Sequence, residues 1–216
     1  MKVGTDGVLL GAWAQLPLGT DTQTGRRVLD IGTGTGLIAI MMAQRFADAE
    51  VTGIDIDADA VIQASANAAA SPFTDRIHIV AGAVQSLEPE IVGTFDAIVC
   101  NPPYFIDSLE SPDLQRTTAR HAQTLTYAAL MQSARRLLSA KGELSVVVPF
   151  DYHQRMEDEA TFAGFFPRRV CAVRTVENKP ARRYLLSFVL HPVERDFQVM
   201  TLGDAAYSAL TEPFYL

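Results

Sequence analysis

From Arg27 onward the chain alternates short apolar runs with helical stretches. Strands are predicted at about 27–32, 51–56, 77–82, 95–100 and 142–149, and helices at about 36–46, 58–70 and 126–139 between them. Such alternation builds a parallel sheet with helices on both faces. A helix at 151–163 then leads into two more apolar strands, 169–176 and 183–190, joined by the six residues Glu177 to Arg182. That connection is too short for a parallel crossover, so the last two strands must form an antiparallel hairpin. The fold class expected is α/β, with a mostly parallel sheet closed by a C-terminal antiparallel hairpin. Residues 105–124 have no periodicity and read as a long loop, of the kind that often serves as a lid.

Composition narrows the class without naming a chemistry. With 216 residues, 48% of them hydrophobic, the chain has apolar content for one well-buried domain over 1–216, and two would be cramped. No apolar stretch reaches the roughly 20 residues of a membrane helix, and Met1-Lys2-Val3-Gly4 lacks a signal-peptide pattern. A cytoplasmic protein is expected, and a monomer, although nothing in the sequence fixes the oligomeric state. Cys100 and Cys171 lie far apart and read as apolar strand residues, not as a disulfide or a metal site. His78, His121, His153 and His191 share no spacing that suggests a site, and no metal is expected; His121 stands out only because it trails the loop.

Candidate chemistry concentrates at Asn101-Pro102-Pro103-Tyr104, directly after the strand Phe95 to Cys100. Two successive prolines end a strand and hold the next residues in a rigid extended turn. Asn101 is thereby fixed at a strand's carboxyl end. Its carboxamide and the Pro102 carbonyl offer two acceptors for the two hydrogens of a planar amine, and Tyr104 adds a face on which an extruded base can stack. Accepting those hydrogens localises the nitrogen lone pair and aims it at an electrophile, so no strongly basic residue is required.

An earlier motif, Asp30-Ile31-Gly32-Thr33-Gly34-Thr35-Gly36, follows a short strand and opens a helix. Alternate glycines let the backbone turn tightly and approach a ligand. Asp55 then sits at the next strand end, placed to grip a ribose diol. The spacing alone also fits a nicotinamide dinucleotide enzyme. Against that reading stand the alternation of Gly32, Gly34 and Gly36 and the carboxylate of Asp30, which can pair with an amino-acid ammonium group that a dinucleotide lacks.

With both motifs in this order, the chain resembles the class I S-adenosylmethionine-dependent methyltransferases that act on planar amines through Asn-Pro-Pro-Tyr. The stretch Lys2 to Trp13, with Gly4-Thr5-Asp6-Gly7 and Leu9-Leu10-Gly11-Ala12-Trp13, is similar to the front of the valine tRNA adenine(37)-N(6)-methyltransferase family. The ending Leu210-Thr211-Glu212-Pro213-Phe214-Tyr215-Leu216 is similar to its tail. The resemblance implies a Rossmann-like fold with a seven-stranded sheet and S-adenosylmethionine as cofactor, held by Asp30, Gly32, Gly34, Gly36 and Asp55 and bordered by Asn101. It also implies an amino-terminal loop carrying Asp6 and Gly7 over that cofactor. Asn101, Pro102 and Tyr104 take the catalytic roles, on an adenine turned out of a tRNA anticodon loop. One departure is Ala83, where many relatives carry an acid that meets the cofactor's adenine. The family also has further residues, rich in aromatic and basic types, ahead of Lys2.

Formal net charge is −7, awkward for an RNA partner because phosphate contacts dominate such affinity. The charge is uneven, however. Arg168, Arg169, Arg174, Lys179, Arg182 and Arg183 face the single acid Glu177 in their stretch, and Arg116 and Arg120 lie on the loop after the prolines. The resemblance reads these as a basic rim for tRNA, whereas charge alone equally fits a hairpin edge protected from aggregation. Three other readings stay open: a release-factor glutamine methyltransferase, a guanine-amino ribosomal RNA methyltransferase, and a non-catalytic binder of cofactor or RNA. The chain lacks room for the helical partner-binding domain usual in the first of these.

Overall fold

The computed structural model describes residues 4–17, 25–103 and 125–214. Its strands are β1 (Arg26–Ile31), β2 (Ala49–Asp55), β3 (Ile77–Ala81), β4 (Phe95–Cys100), β5 (Leu138–Pro149), β6 (Phe166–Arg174), β7 (Ala181–Val189) and β8 (Asp196–Thr201). Its helices are α1 (Thr5–Trp13), α2 (Leu37–Arg45), α3 (Ala58–Ala70), α4 (Pro89–Val92), α5 (Tyr127–Leu137), α6 (His153–Phe162) and α7 (Ala205–Thr211). All eight strands join one sheet in the order β3-β2-β1-β4-β5-β7-β6-β8. β7 runs antiparallel to both neighbours, and every other pairing is parallel. The hairpin expected from the six-residue connection is therefore present, with β7 inserted between β5 and β6.

Alternation of side chains along the central strands divides the core into two layers. Leu29, Ile31, Ile98, Leu144 and Val146 pack with α5 and α6 residues such as Leu130 and Met156 on one face. Val28, Ala97, Val99 and Val147 pack with Leu9, Trp13, Ile38 and Met42 on the other. Because both faces are covered, β4 reads as an almost continuous apolar run and β1 is buried from Val28 to Ile31, as parallel strands are. Helix starts are fixed locally: the Asp57 carboxylate accepts from the Asp59 N–H (2.9 Å) to begin α3, and the Thr126 hydroxyl accepts from the Ala129 N–H (3.1 Å) to begin α5.

Two expectations need correction. The sheet has eight strands and not seven. β8 pairs in parallel with β6 at the sheet edge, and its first four residues, Asp196 to Val199, are exposed, so it carries no buried run to signal it. The segment bearing Asp6 and Gly7 is a helix and not a loop. α1 is buried without interruption from Gly7 to Trp13, and a helix that is apolar all round gives no amphipathic period to read. Its glycines allow close approach to α2, since a Cβ on Gly11 would lie 2.7 Å from the Met41 sulfur.

Candidate active site

β1 delivers the chain into a turn in which Gly32, Gly34 and Gly36 all have positive φ (68°, 57° and 80°). Side-chain-bearing residues rarely adopt this region, so the spacing of the glycines follows from the turn. The N–H groups of Gly32 and Thr33 both donate to the Ile54 carbonyl (2.9 and 3.1 Å), which ties the turn to β2. A Cβ on Gly36 would press within 3.4 Å of Ala64, while one on Gly32 would meet nothing within 4 Å, so the turn is packed at its helix end and open at its strand end.

Asp30 lies beneath this turn, fully buried. Its Oδ2 accepts from the Thr33 hydroxyl (2.6 Å) and from the Ala39 N–H (3.1 Å). Its Oδ1 finds no hydrogen-bond partner among the described residues. Burial pushes this carboxyl up to about 7, against the two hydrogen bonds, with the charge of Asp55 adding to the rise. A buried acceptor without a partner costs roughly 1–3 kcal/mol, which a cationic donor would recover. That orphaned oxygen is what an amino-acid ammonium requires, so the residues present fit the cofactor.

Asp55 closes the crevice from β2. Its carboxylate accepts from the Gly34 N–H (2.8 Å) and from the Asp57 N–H (3.0 Å), fixing the strand end to the glycine turn. Ile56 follows it and is 54% exposed, an apolar surface at the mouth of the crevice that the sequence reading missed. The available signal was an apolar residue left between two acids in Asp55-Ile56-Asp57. The third strand end, near Ala83, adds the Gly82 N–H donated to the Asp55 carbonyl (2.9 Å). Burial, and then the charges of Asp30 and Asp55, raise the Cys100 thiol well above its usual range. The carboxyl groups of Asp30 and Asp55 thus stand close together at the ends of β1 and β2, where they suit a cation.

Asn101 and Pro102 come directly after β4. The pairing of Ile31 with Cys100 puts Gly32 and Asn101 each one residue beyond adjacent strand ends, so the Asn-Pro-Pro motif and the glycine turn stand side by side at the carboxyl side of the sheet. Pro102 is buried and Asn101 half-buried, which anchors the acceptors. Tyr104, Arg116, Arg120 and His121 lie outside the described residues. Tyr127, at the start of α5, is a second residue not foreseen. Its buried hydroxyl has no hydrogen-bond partner among the described residues, and burial pushes it up to about 12.

The amino-terminal and basic residues are distributed differently from the expectation. Asp6 stands in the first turn of α1 and forms an ion pair with Arg183 on β7, so two residues assigned to cofactor and to RNA engage each other. Arg174, Lys179 and Arg182 lie at the carboxyl side of the sheet; Lys179 and Arg182 are exposed, and the Arg174 guanidinium donates to the Glu177 carbonyl (3.1 Å). Arg168 and Arg169 do not join them. They begin β6 at the opposite end of the sheet, and both bind the buried Glu143 (3.1 and 2.5 Å), with Arg169 also stacked over Trp13. Among the described histidines, His78 lies 3.0 Å from Glu50, His153 bonds the Phe150 carbonyl (2.7 Å) and His191 is exposed. Cys100 and Cys171 are buried strand residues. Among the described residues no cluster of His, Cys, Asp or Glu could hold a metal ion, and no helix is long and apolar enough to cross a membrane.

Known proteins resemble this chain in both sequence and fold. Residues 16–165 match the methyltransferase small domain family model. The chain is 44% identical to the tRNA1(Val) (adenine(37)-N6)-methyltransferase of Parabacteroides distasonis, over all of this chain and 91% of that protein. Among solved structures, a predicted O-methyltransferase, protein Atu636 from Agrobacterium tumefaciens, superposes with a TM-score of 0.69 at 17% identity, covering 96% of this chain and 95% of that one. The glycopeptide N-methyltransferase MtfA complexed with S-adenosyl-L-methionine superposes with a TM-score of 0.57 at 13% identity, covering 80% and 90%. Glycine turn, Asp55 and Asn-Pro-Pro motif at the carboxyl side of one sheet, together with full-length identity of this order, leave one conclusion: the chain belongs to the methyltransferase small domain family and, within it, to the tRNA1(Val) (adenine(37)-N6)-methyltransferases.

Proposed function

We propose that this protein methylates the exocyclic N(6) amine of adenine 37 in a valine tRNA in the cytoplasm, using S-adenosylmethionine. The observation that supports the proposal most is the parallel pairing of Ile31 with Cys100, after which Gly32 and Asn101 follow at adjacent strand ends. Asp30 Oδ1 receives the ammonium group, Gly32, Gly34 and Gly36 let the backbone come close, and Asp55 takes the ribose hydroxyls. Ile56 supplies an apolar face for the adenine of the cofactor. When bound, S-adenosylmethionine supplies a methyl group already activated by its sulfonium.

The chain's own task is positioning. The Asn101 carboxamide oxygen and the Pro102 carbonyl accept the two N(6) hydrogens, which holds the amine in one orientation and concentrates its lone pair toward the crevice. Tyr104, outside the described residues, is assigned the stacking of the extruded adenine from its place in the motif. Such orientation accounts for much of a rate enhancement when the electrophile needs no further activation. Transfer of the methyl to the amine would break the S–CH3 bond and leave a neutral thioether, and the proton then lost from the nitrogen would pass to solvent, with no basic side chain required. Arg174, Lys179 and Arg182 would meet tRNA phosphates.

The test is transfer of labelled methyl to total tRNA from a strain lacking this protein, followed by nucleoside analysis. N(6)-methyladenosine at position 37 of a valine tRNA is the expected product. Label in protein with none in RNA would overturn the proposal in favour of glutamine methylation.

A further inference from the structure

Beyond Asn101, the carboxyl end of β5 carries three rings that the reaction does not use. Phe150, directly after the strand, is 43% exposed. Its ring centroid lies 5.6 Å from that of His153 and 6.1 Å from that of Tyr184. His153 and Tyr184 are themselves stacked, 4.3 Å apart and 17° from parallel, and His153 is held by its bond to the Phe150 carbonyl. An exposed aromatic ring braced from behind by two others keeps its orientation when a flat ligand meets it.

The strand registers place this cluster. β4 and β5 pair Cys100 with Val146, so Asn101 is level with Val147 and Phe150 lies three residues further out. At about 3.3 Å per residue and one strand spacing of about 4.8 Å across, the Phe150 backbone stands roughly 10 Å from that of Asn101. A base unstacked from an adenine that is turned out can lie at that separation. β5 and β7 pair Pro149 with Arg183 and Val148 with Tyr184. Alternation then sends Arg183 to the face of α1, where it meets Asp6, and Tyr184 to the opposite face with the ring cluster, while Arg182 sits at a β-bulge just before Arg183. Arg182 is exposed, with Lys179 in the adjoining turn. Asp151, next to Phe150, is exposed and would repel a phosphate set on the ring itself. The arrangement therefore suits a neutral base on Phe150 with its phosphate toward Arg182 and Lys179.

Resting on the proposed tRNA substrate, we infer that Phe150, braced by His153 and Tyr184, is a stacking platform for the unpaired base next to the target adenine, with Arg182 and Lys179 holding its phosphate. The platform grips the anticodon loop while adenine 37 is turned out toward Asn101. It is a positioning element and touches neither the methyl group nor the amine.

The test compares the full-length wild-type protein with Phe150→Ala and Phe150→Trp. Each is assayed on valine tRNA transcripts, intact or with an abasic site at either nucleotide flanking adenine 37. Stacking on an aromatic ring is lost at roughly a tenfold cost when the ring is removed. Phe150→Ala should therefore raise KM for intact tRNA roughly tenfold with kcat and cofactor affinity nearly unchanged, and Phe150→Trp should restore it. One of the abasic transcripts should impose the same loss on the wild type and no further loss on Phe150→Ala. Equal KM values for wild type and Phe150→Ala, losses that multiply, or indifference of the wild type to both abasic sites would each overturn the platform. If the wild type methylates no tRNA, the functional reading fails and the platform with it; if it methylates adenine 37 and the Phe150 results are negative, only the platform fails.

Discussion

Arg183, near the start of β7, forms an ion pair with Asp6 in the first turn of α1. The two residues are separated by almost the whole chain, and their contact pins the amino-terminal helix to the strand that alone runs against the sheet. Asp6 also sits at a helix N-terminus, where the helix dipole favours its charge.

Breaking this pair has a defined expectation. Arg183→Ala and Asp6→Asn should each destabilise the protein by about 1 kcal/mol, and the double variant should lose less than the sum. Urea unfolding of the three variants checks it. A tRNA-binding role for Arg183 alone would instead leave unfolding unchanged and weaken RNA binding.

Cofactor affinity should depend on the charge of Asp30. The carboxyl holds its proton up to about pH 7 in the folded protein, against an ordinary 3.8, while an ammonium partner requires the carboxylate. Affinity for S-adenosylmethionine should therefore fall as pH drops through 7, by up to about tenfold per unit. The sign for the unliganded protein is opposite. Its native state retains a proton that the unfolded chain loses above about 3.8, so this group makes the protein less stable as pH rises from about 4 to about 7. Calorimetric titration at several pH values checks the first statement, and Asp30→Asn should bind weakly with a flat profile.

Asn101→Ala should lower kcat by roughly a hundredfold or more, since one oriented acceptor at a reacting group carries an effect of that order. S-adenosylmethionine affinity should stay within a few fold of wild type. Single-turnover methylation alongside equilibrium cofactor binding separates the two quantities, and a large loss of cofactor binding would reassign the residue.

Glu143 is the most exacting position for stability. It is fully buried between Arg168 and Arg169, so Glu143→Ala leaves an uncompensated arginine inside the protein. A loss of about 3–5 kcal/mol is expected, with little change in activity per folded molecule because the pair lies at the end of the sheet away from the crevice. Denaturant midpoints and specific activity measured on the same preparations check both parts.

Most of the scaffold and the geometry of the glycine turn were legible in the residues alone. Apolar runs after Arg26 and the helical stretches between them survive as β1 to β7, α2, α3, α5 and α6, because a sheet covered on both faces leaves a strong, local hydrophobic record. Asp30, the three glycines and Asp55 were legible for a related reason: a positive-φ turn admits few residues, so it writes its own pattern. Features that depend on partners distant in the chain were settled by the fold. Nothing in the run from Thr5 to Trp13 marks a helix, since its burial comes from packing against α2 and the sheet. β8 is specified by pairing with β6 and not by any burial of its own. Arg168 and Arg169 read as rim charges until register put them beside Glu143, and Arg183 until alternation turned it toward Asp6. Phe150, His153 and Tyr184 are ordinary residues singly in the sequence and meet only because β7 lies antiparallel beside β5. Local backbone geometry is encoded by the residues that adopt it, whereas charge pairing and ring clusters depend on which strands become neighbours.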